Sequence, residues 1–316
     1  LRELEYDVSL SAEDLGIDRD DVRRMVSIDL APHLPMYEER ANEYVHRTVK
    51  DKFRPAVIFV QGVRMDAPSV LSEIASNGYK LHHSQNDSRF NYCNVTAVDS
   101  DLDVRERSEI RMMSETNGKQ VELAPDCLVD AYYDNGRMVR LYNFESIRGT
   151  FFEVHRVKLA NLIVKDAYVR KIKDPDYKNG LMYMAADLHA DDANESVRLL
   201  LGRVTRDGVY PSGWTDVWKI LHGNDHTDGN TERQTSVFDD SIKIPSLVRP
   251  RRHTYFLAYG DVFGREGTPL TIDLNGNNTT DSGIPYSDDY GLTTDIWIPP
   301  LNQFTTTDRK GAQTIE

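Results

Sequence analysis

The apolar run LMYMAA at 181–186 halts at Asp187, and that stop constrains the chain more than any other feature. Six consecutive apolar residues without alternation read as a strand covered on both faces, which places it inside a layered α/β architecture. A polar loop over 188–192 follows, and a helix then opens with Asn194 at its N-cap position. A carboxylate at the C-terminal end of a buried strand is fixed by the sheet and reachable from the loop. Metals and phosphates are held at such points in α/β proteins. A lone Asp in that setting more often only ends a strand, so the rest of the chain has to supply its company.

The rest of the chain supplies further strands and helices. Residues 23–30, RRMVSIDL, read as a first strand, which Pro32 and Pro35 cut off from a helix over 37–52. That helix places Tyr37, Ala41, Tyr44, Val45 and Val49 on one face. Pro55 precedes AVIFV at 56–60, a second continuous apolar strand, which Gln61-Gly62 ends. A helix over 68–76 stops at Asn77-Gly78; strands follow at 79–84 and 92–98. Asn135-Gly136, between apolar runs at 121–133 and 138–144, is the strongest hairpin signal in the chain. Residues 151–172 have helical spacing, with Arg156, Lys158, Lys165 and Arg170 expected on a wetted face. Strands at 253–259 and 293–298 complete the set. The charged segment 99–119 reads as a solvated excursion and 264–280 as turns. The loop 222–230, HGNDHTDGN, reads as surface, because His222 and His226 lack further ligands at a metal-binding spacing. Alternating strands and helices with interspersed hairpins predict a mixed α/β sandwich. We expect an N-terminal arm or short helix over 1–22, one domain over 23–300 and a polar tail over 301–316.

Charge and cysteine usage exclude several roles. With 51 acidic against 38 basic residues the net charge is −13, a sign that repels nucleic-acid phosphates, so broad attachment to DNA or RNA is not expected. No apolar run reaches the length of a membrane span. Cys93 and Cys127 are too few for a disulfide framework and are not spaced as a zinc site, and they read as buried thiols.

Three segments carry a resemblance: PAVIFVQGV at 55–63, YMAADLHA at 183–190 and YSDDYGL at 286–292. In that order and separation they resemble the endonuclease/exonuclease/phosphatase superfamily, the DNase I-like fold. The resemblance implies a four-layer α/β/β/α sandwich and Mg²⁺-dependent hydrolysis of phosphate esters. It also implies a site. The family's Asn at the end of the first strand corresponds to Asp29, and its metal-binding Glu after the second-strand Gln corresponds to Gly62. Its Asn-x-His corresponds to Asn143-Phe144-Glu145, and its Gly-Asp-x-Asn to Ala186-Asp187-Leu188-His189. A later Asp corresponds to Thr254, and the terminal Ser-Asp-His to Ser287-Asp288-Asp289. Asp187 and Asp288 keep the family's residue type and are the positions that would hold a metal if the chain kept metal-dependent chemistry.

These departures remove chemistry. Mg²⁺ needs carboxylate oxygens, and Gly62 has no side chain to offer. An aspartate in place of the general base starts near a pKa of about 3.9, roughly 2.6 units below histidine, and is a poor proton acceptor at neutral pH. Loss of acid–base assistance alone costs about 10²–10⁴ in rate. The expectation is therefore a catalytically silent DNase I-like domain with no cofactor, serving as a binding or structural module for a protein partner or larger assembly. The alternative is a divergent metal-dependent phosphodiesterase or phosphatase. There Asp29, Glu145, Asp187, His189, Asp288 and Asp289 would converge on Mg²⁺ or Ca²⁺.

Overall fold

In each central strand, odd and even residues face different neighbours, and this alternation builds the layers. The computed structural model describes residues 16–32, 35–84, 91–116, 119–146, 152–204, 210–223, 252–260, 267–275, 280, 281, 286, 287 and 291–301, with 112–126 as backbone alone. One six-stranded sheet contains β1 (Val22–Asp29), β2 (Val57–Arg64), β3 (Tyr79–His83), β4 (Tyr92–Asp99), β11 (Pro269–Asn275) and β12 (Gly291–Trp297), in the order β11-β12-β1-β2-β4-β3. The other has the order β5-β6-β7-β8-β10-β9. Its strands are β5 (Asp103–Thr116), β6 (Lys119–Asp134), β7 (Arg137–Glu145), β8 (Leu181–Asp187), β9 (Trp214–Asp216) and β10 (Thr254–Tyr259). The helices are α1 (Tyr37–Val49), α2 (Pro68–Ser76), α3 (Glu153–Lys173), α4 (Glu195–Leu200) and α5 (Val217–His222).

Three apolar seams hold these layers together. Ile58 and Val60 of β2 pack with Tyr44 and Val45 of α1 and with Val70 and Ile74 of α2 on the outside of the first sheet. Their neighbours Val57 and Phe59 point the other way, into a seam between the sheets with Tyr132, Leu141, Tyr183 and Phe256. Met182, Met184 and Ala186 of β8 face outward again, onto Leu159, Ile163 and Val164 of α3. The result is the expected α/β/β/α sandwich. In the inter-sheet seam Phe59 and Phe256 meet edge to face, with centroids 6.3 Å apart, an arrangement that contributes about 0.5–1.5 kcal/mol beyond area burial. The Asn-Gly turn is as expected: Asn135 and Gly136 have φ of 50° and 79°, the double left-handed turn whose twist matches the flanking strands.

Four expectations fail, each for a physical reason. The segment 99–119 is not an excursion but contains β5, an edge strand paired with β6. Its period was hidden because an inward position is Glu106, which pairs with Arg140 at 3.0 Å and Arg170 at 3.2 Å instead of packing as an apolar residue. The turn-rich segment 264–280 contains β11, whose Leu270 and Ile272 are buried. Arg156 is not on a wetted face; it is buried and bonded to Glu153 at 2.8 Å. Asn194 precedes α4 but does not cap it. Its Oδ1 accepts from the Asp191 N–H at 2.9 Å, and the Ser196 N–H in the first turn is taken by Glu153 of α3 at 2.8 Å. His222 ends α5 with Nε2 2.8 Å from the Ile272 carbonyl, while 224–230 lies outside the described residues. So do 1–15 and 302–316 of the expected arm and tail.

Candidate functional site

At one end of the sandwich the inter-sheet seam turns polar. The alternation that sends Met25, Phe59, Leu141, Ala185 and Phe256 into the seam continues to Ser27 and Asp29, Gln61, Asn143 and Glu145, Asp187 and Thr254. All seven polar residues are buried. A chain of amides locks the sheets together there. Ser27 Oγ donates to Gln61 Oε1 at 3.3 Å, Gln61 Nε2 to Asn143 Oδ1 at 2.7 Å, and Asn143 Nδ2 to the Val95 carbonyl at 2.8 Å. Each such bond contributes about 1 kcal/mol net, and leaving a buried partner unpaired costs about 1–3 kcal/mol.

On the first sheet Asp29 pairs with Gln61 across parallel β1 and β2. Its Oδ1 accepts from the Ala31 N–H at 3.1 Å, and its Oδ2 from the Ser287 hydroxyl at 2.9 Å. Gly62 sits where the β2–β4 register shifts, at φ +72°, a left-handed conformation that glycine adopts without a Cβ clash. A Cβ at this position would lie 2.6 Å from Cδ of Pro32 and 3.4 Å from Oδ1 of Asp29. The Pro32 loop is itself fixed. The buried Arg40 donates to the carbonyls of Leu30 (3.3 Å), Ala31 (3.2 Å), Pro35 (2.8 Å) and Tyr286. Tyr37 OH donates to the Gly62 carbonyl at 3.1 Å and accepts from the Arg64 N–H at 2.9 Å. The Mg²⁺ ion that the resemblance implies does not fit this half of the site: residue 62 offers no side-chain oxygen, its carbonyl is taken by Tyr37, and a proline ring stands where a side chain would start.

The second sheet is arranged differently. Glu145 and Asp187 stand side by side at the ends of parallel β7 and β8. His189 follows at φ 44°, its N–H donating to Asp187 Oδ1 at 3.2 Å. This turn brings the imidazole Nδ1 to 3.2 Å from Asp187 Oδ1 and Nε2 to 3.7 Å from Glu145 Oε1. One ligand atom from each of the three residues lies within 4.8 Å of the others. Among the described residues no donor bonds to Glu145 Oε2 or Asp187 Oδ2, although both atoms are buried. Two carboxylates about 5 Å apart repel by roughly 3 kcal/mol at an effective dielectric of 20, so this cluster calls for positive charge. Its frame is rigid. The Ser146 N–H donates to the Asp187 carbonyl at 2.7 Å, the Leu188 N–H to the His253 carbonyl at 2.9 Å, and the Ser146 hydroxyl to the Leu188 carbonyl. The His189 and His253 rings meet edge to face, 6.1 Å apart. On the other face of the first sheet, in the layer with α1 and α2, burial first and then the Glu145 charge push the Cys93 thiol up to about 12, keeping it neutral.

Of the expected site residues, the structure joins Asp29 with Gly62, and Glu145 with Asp187 and His189. It sets Thr254 opposite Asp187 in antiparallel register. Asp288 and Asp289 lie outside the described residues, so the expected Asp187–Asp288 pairing has one member placed. Two residues that shape the site escaped the sequence. Pro32 reads as a chain breaker, and Arg40 falls within the 37–52 helix without being singled out; nothing local marks either as bordering the site.

No family model matches the chain, and no curated protein matches it in sequence. Solved structures do match. Truncated Caenorhabditis elegans TDP2 is 15% identical with a TM-score of 0.66, over 87% of this chain and 97% of that one. D. rerio TDP2 complexed with a single-strand DNA product is 17% identical with a TM-score of 0.64, over 88% and 99%. The endonuclease/exonuclease/phosphatase from Bacteroides vulgatus is 12% identical with a TM-score of 0.60, over 88% and 99%. With two helix-covered sheets that superpose on nearly the whole length of such proteins, the chain has the DNase I-like fold of the endonuclease/exonuclease/phosphatase superfamily.

Proposed function

We propose that this chain is a non-catalytic DNase I-like module that serves by binding within a larger protein assembly. One observation carries the catalytic part of that reading: the Pro32 ring lies 2.6 Å from where a side chain at position 62 would begin. The cation that polarises phosphate in this fold family has no anchor on β2. Thr254, in place of an acid, adds no charge opposite Asp187. The net charge of −13 argues against a phosphate-rich partner and favours a protein one.

Hydrolysis of bis-p-nitrophenyl phosphate and of single-stranded DNA, with Mg²⁺, Mn²⁺ and Ca²⁺ in turn, tests the catalytic half. A folded protein without turnover supports the proposal; turnover abolished by Asp187→Asn overturns it. The assembly half is tested by the size of the native particle that carries the chain. Migration with other polypeptides in a defined complex is expected, and a free monomer contradicts it.

The second reading is a divergent phosphodiesterase whose chemistry has moved to the other sheet. The buried Glu145–Asp187–His189 group favours it. D. rerio TDP2, which shares the fold, is bound to a DNA product in its structure. Mg²⁺ or Ca²⁺ would be its cofactor, with Asp187, and Asp288 beyond the described residues, as ligands.

A further inference from the structure

Among the described residues, the carboxylates that end β7 and β8 are not fully matched by donors. His189 addresses Asp187 Oδ1 and Glu145 Oε1, and each carboxylate keeps a second buried oxygen to which no described donor bonds. A protonated imidazole has two N–H groups, both already directed at the first pair of oxygens, so it cannot also serve the second pair. A metal ion can take an oxygen from each carboxylate and a nitrogen from the ring at one point.

From this geometry we infer that Glu145, Asp187 and His189 form a binding site for one divalent transition-metal ion, of which Zn²⁺ is the best match. The donor set is two carboxylate oxygens and one imidazole nitrogen. Oxygen alone suits Mg²⁺ or Ca²⁺, but the imidazole moves the preference toward Zn²⁺ and its first-row neighbours. Three protein ligands with a fourth position left to water or a partner group is a common zinc arrangement. The three ligand atoms already lie within 4.8 Å of one another, so small side-chain rotations complete the site. The backbone bonds through Ser146, Leu188 and the His189 N–H hold the ligand-bearing segments in place, the role outer partners play in metal sites. The site differs from the family's β2 anchor in position, residue types and preferred ion. It stands whether or not the chain turns over phosphate esters, since an ion here can also tie the ends of β7 and β8 together.

The test uses the full chain stripped of metal with a chelator. Zn²⁺ is titrated calorimetrically, and Zn K-edge absorption reports the coordinating atoms. One equivalent is expected to bind with nitrogen and oxygen neighbours that include one imidazole, and millimolar Mg²⁺ should not displace it. Glu145→Gln keeps the shape of its side chain. His189→Asn keeps a residue that tolerates the left-handed backbone. Each should weaken Zn²⁺ binding by more than roughly tenfold, the lower end of what loss of an outer partner alone costs, while circular dichroism stays native. A folded wild-type chain that takes up no Zn²⁺ overturns the site, as does wild-type affinity in both variants. Zn²⁺ uptake accompanied by ester cleavage keeps the site and retires only the non-catalytic reading.

Discussion

The two halves of the polar seam are built from similar residues and end in opposite states. On β1 and β2, Asp29 has a donor on each oxygen, Gly62 presents bare backbone, and Pro32 closes the space. On β7 and β8, Glu145 and Asp187 are as deeply buried, yet each has an oxygen without a described donor and a histidine set between them. Burial by itself therefore says little about function. The informative quantity is whether buried charge is matched by donors: the first half is bonded as a joint between layers, and the second is where we infer a cation binds.

The largest effect expected from breaking the closed half is at Arg40. Arg40→Leu removes the donor to the carbonyls of Leu30, Ala31, Pro35 and Tyr286. It should cost about 3–4 kcal/mol of stability, read as a lower urea midpoint, because several buried acceptors lose a charged donor together. Gly62→Glu comes next. It supplies the residue type that the resemblance implies but meets Pro32 and a left-handed backbone; a loss of about 2–3 kcal/mol is expected from overpacking and strain. It should gain no Mg²⁺-dependent cleavage of bis-p-nitrophenyl phosphate. A stable Gly62→Glu protein that hydrolyses the ester would show that the two halves differ by one residue only.

Gln61→Leu sharpens the comparison at the bond that joins the halves. It strands Asn143 Oδ1 and the Ser27 hydroxyl and should cost about 1–2 kcal/mol in urea titration. The smallest effect is at Cys93. With the folded thiol raised to about 12, iodoacetamide at pH 8 should label it only after unfolding. The sign follows from linkage: the unfolded thiol, near its ordinary 9.0, ionises first. The folded state therefore loses this contribution as pH climbs from 9 toward 12 and keeps it fully below 9. Rapid native labelling at pH 8 would contradict the burial of this face of β4.

Much of the scaffold was legible because strands covered on both sides announce themselves. The runs at 56–60 and 181–186, the Asn-Gly hairpin and the helix over 68–76 fall where the structure has β2, β8, the β6–β7 turn and α2. The strand β5 was illegible because its inward Glu106 is neutralised by Arg140 and Arg170, residues 34 and 64 positions away. The same holds for the site. Asp187 at a strand end was readable, and Glu145 and His189 were placed near it through the resemblance. Their separation, the unmatched oxygens and the left-handed turn at His189 were not.

By itself the sequence determined the layer plan, since alternation and uninterrupted apolar runs are local consequences of which faces are covered. It also determined which residue types stand at the strand ends, including the absence of any side chain at Gly62. Only the tertiary structure decided that Pro32, held by Arg40, closes the β2 side while the carboxylates of β7 and β8 each keep an oxygen to which no described donor bonds. Both outcomes depend on groups distant in sequence meeting within a few ångströms, and electrostatic and steric matching at that range is set by packing rather than by local pattern.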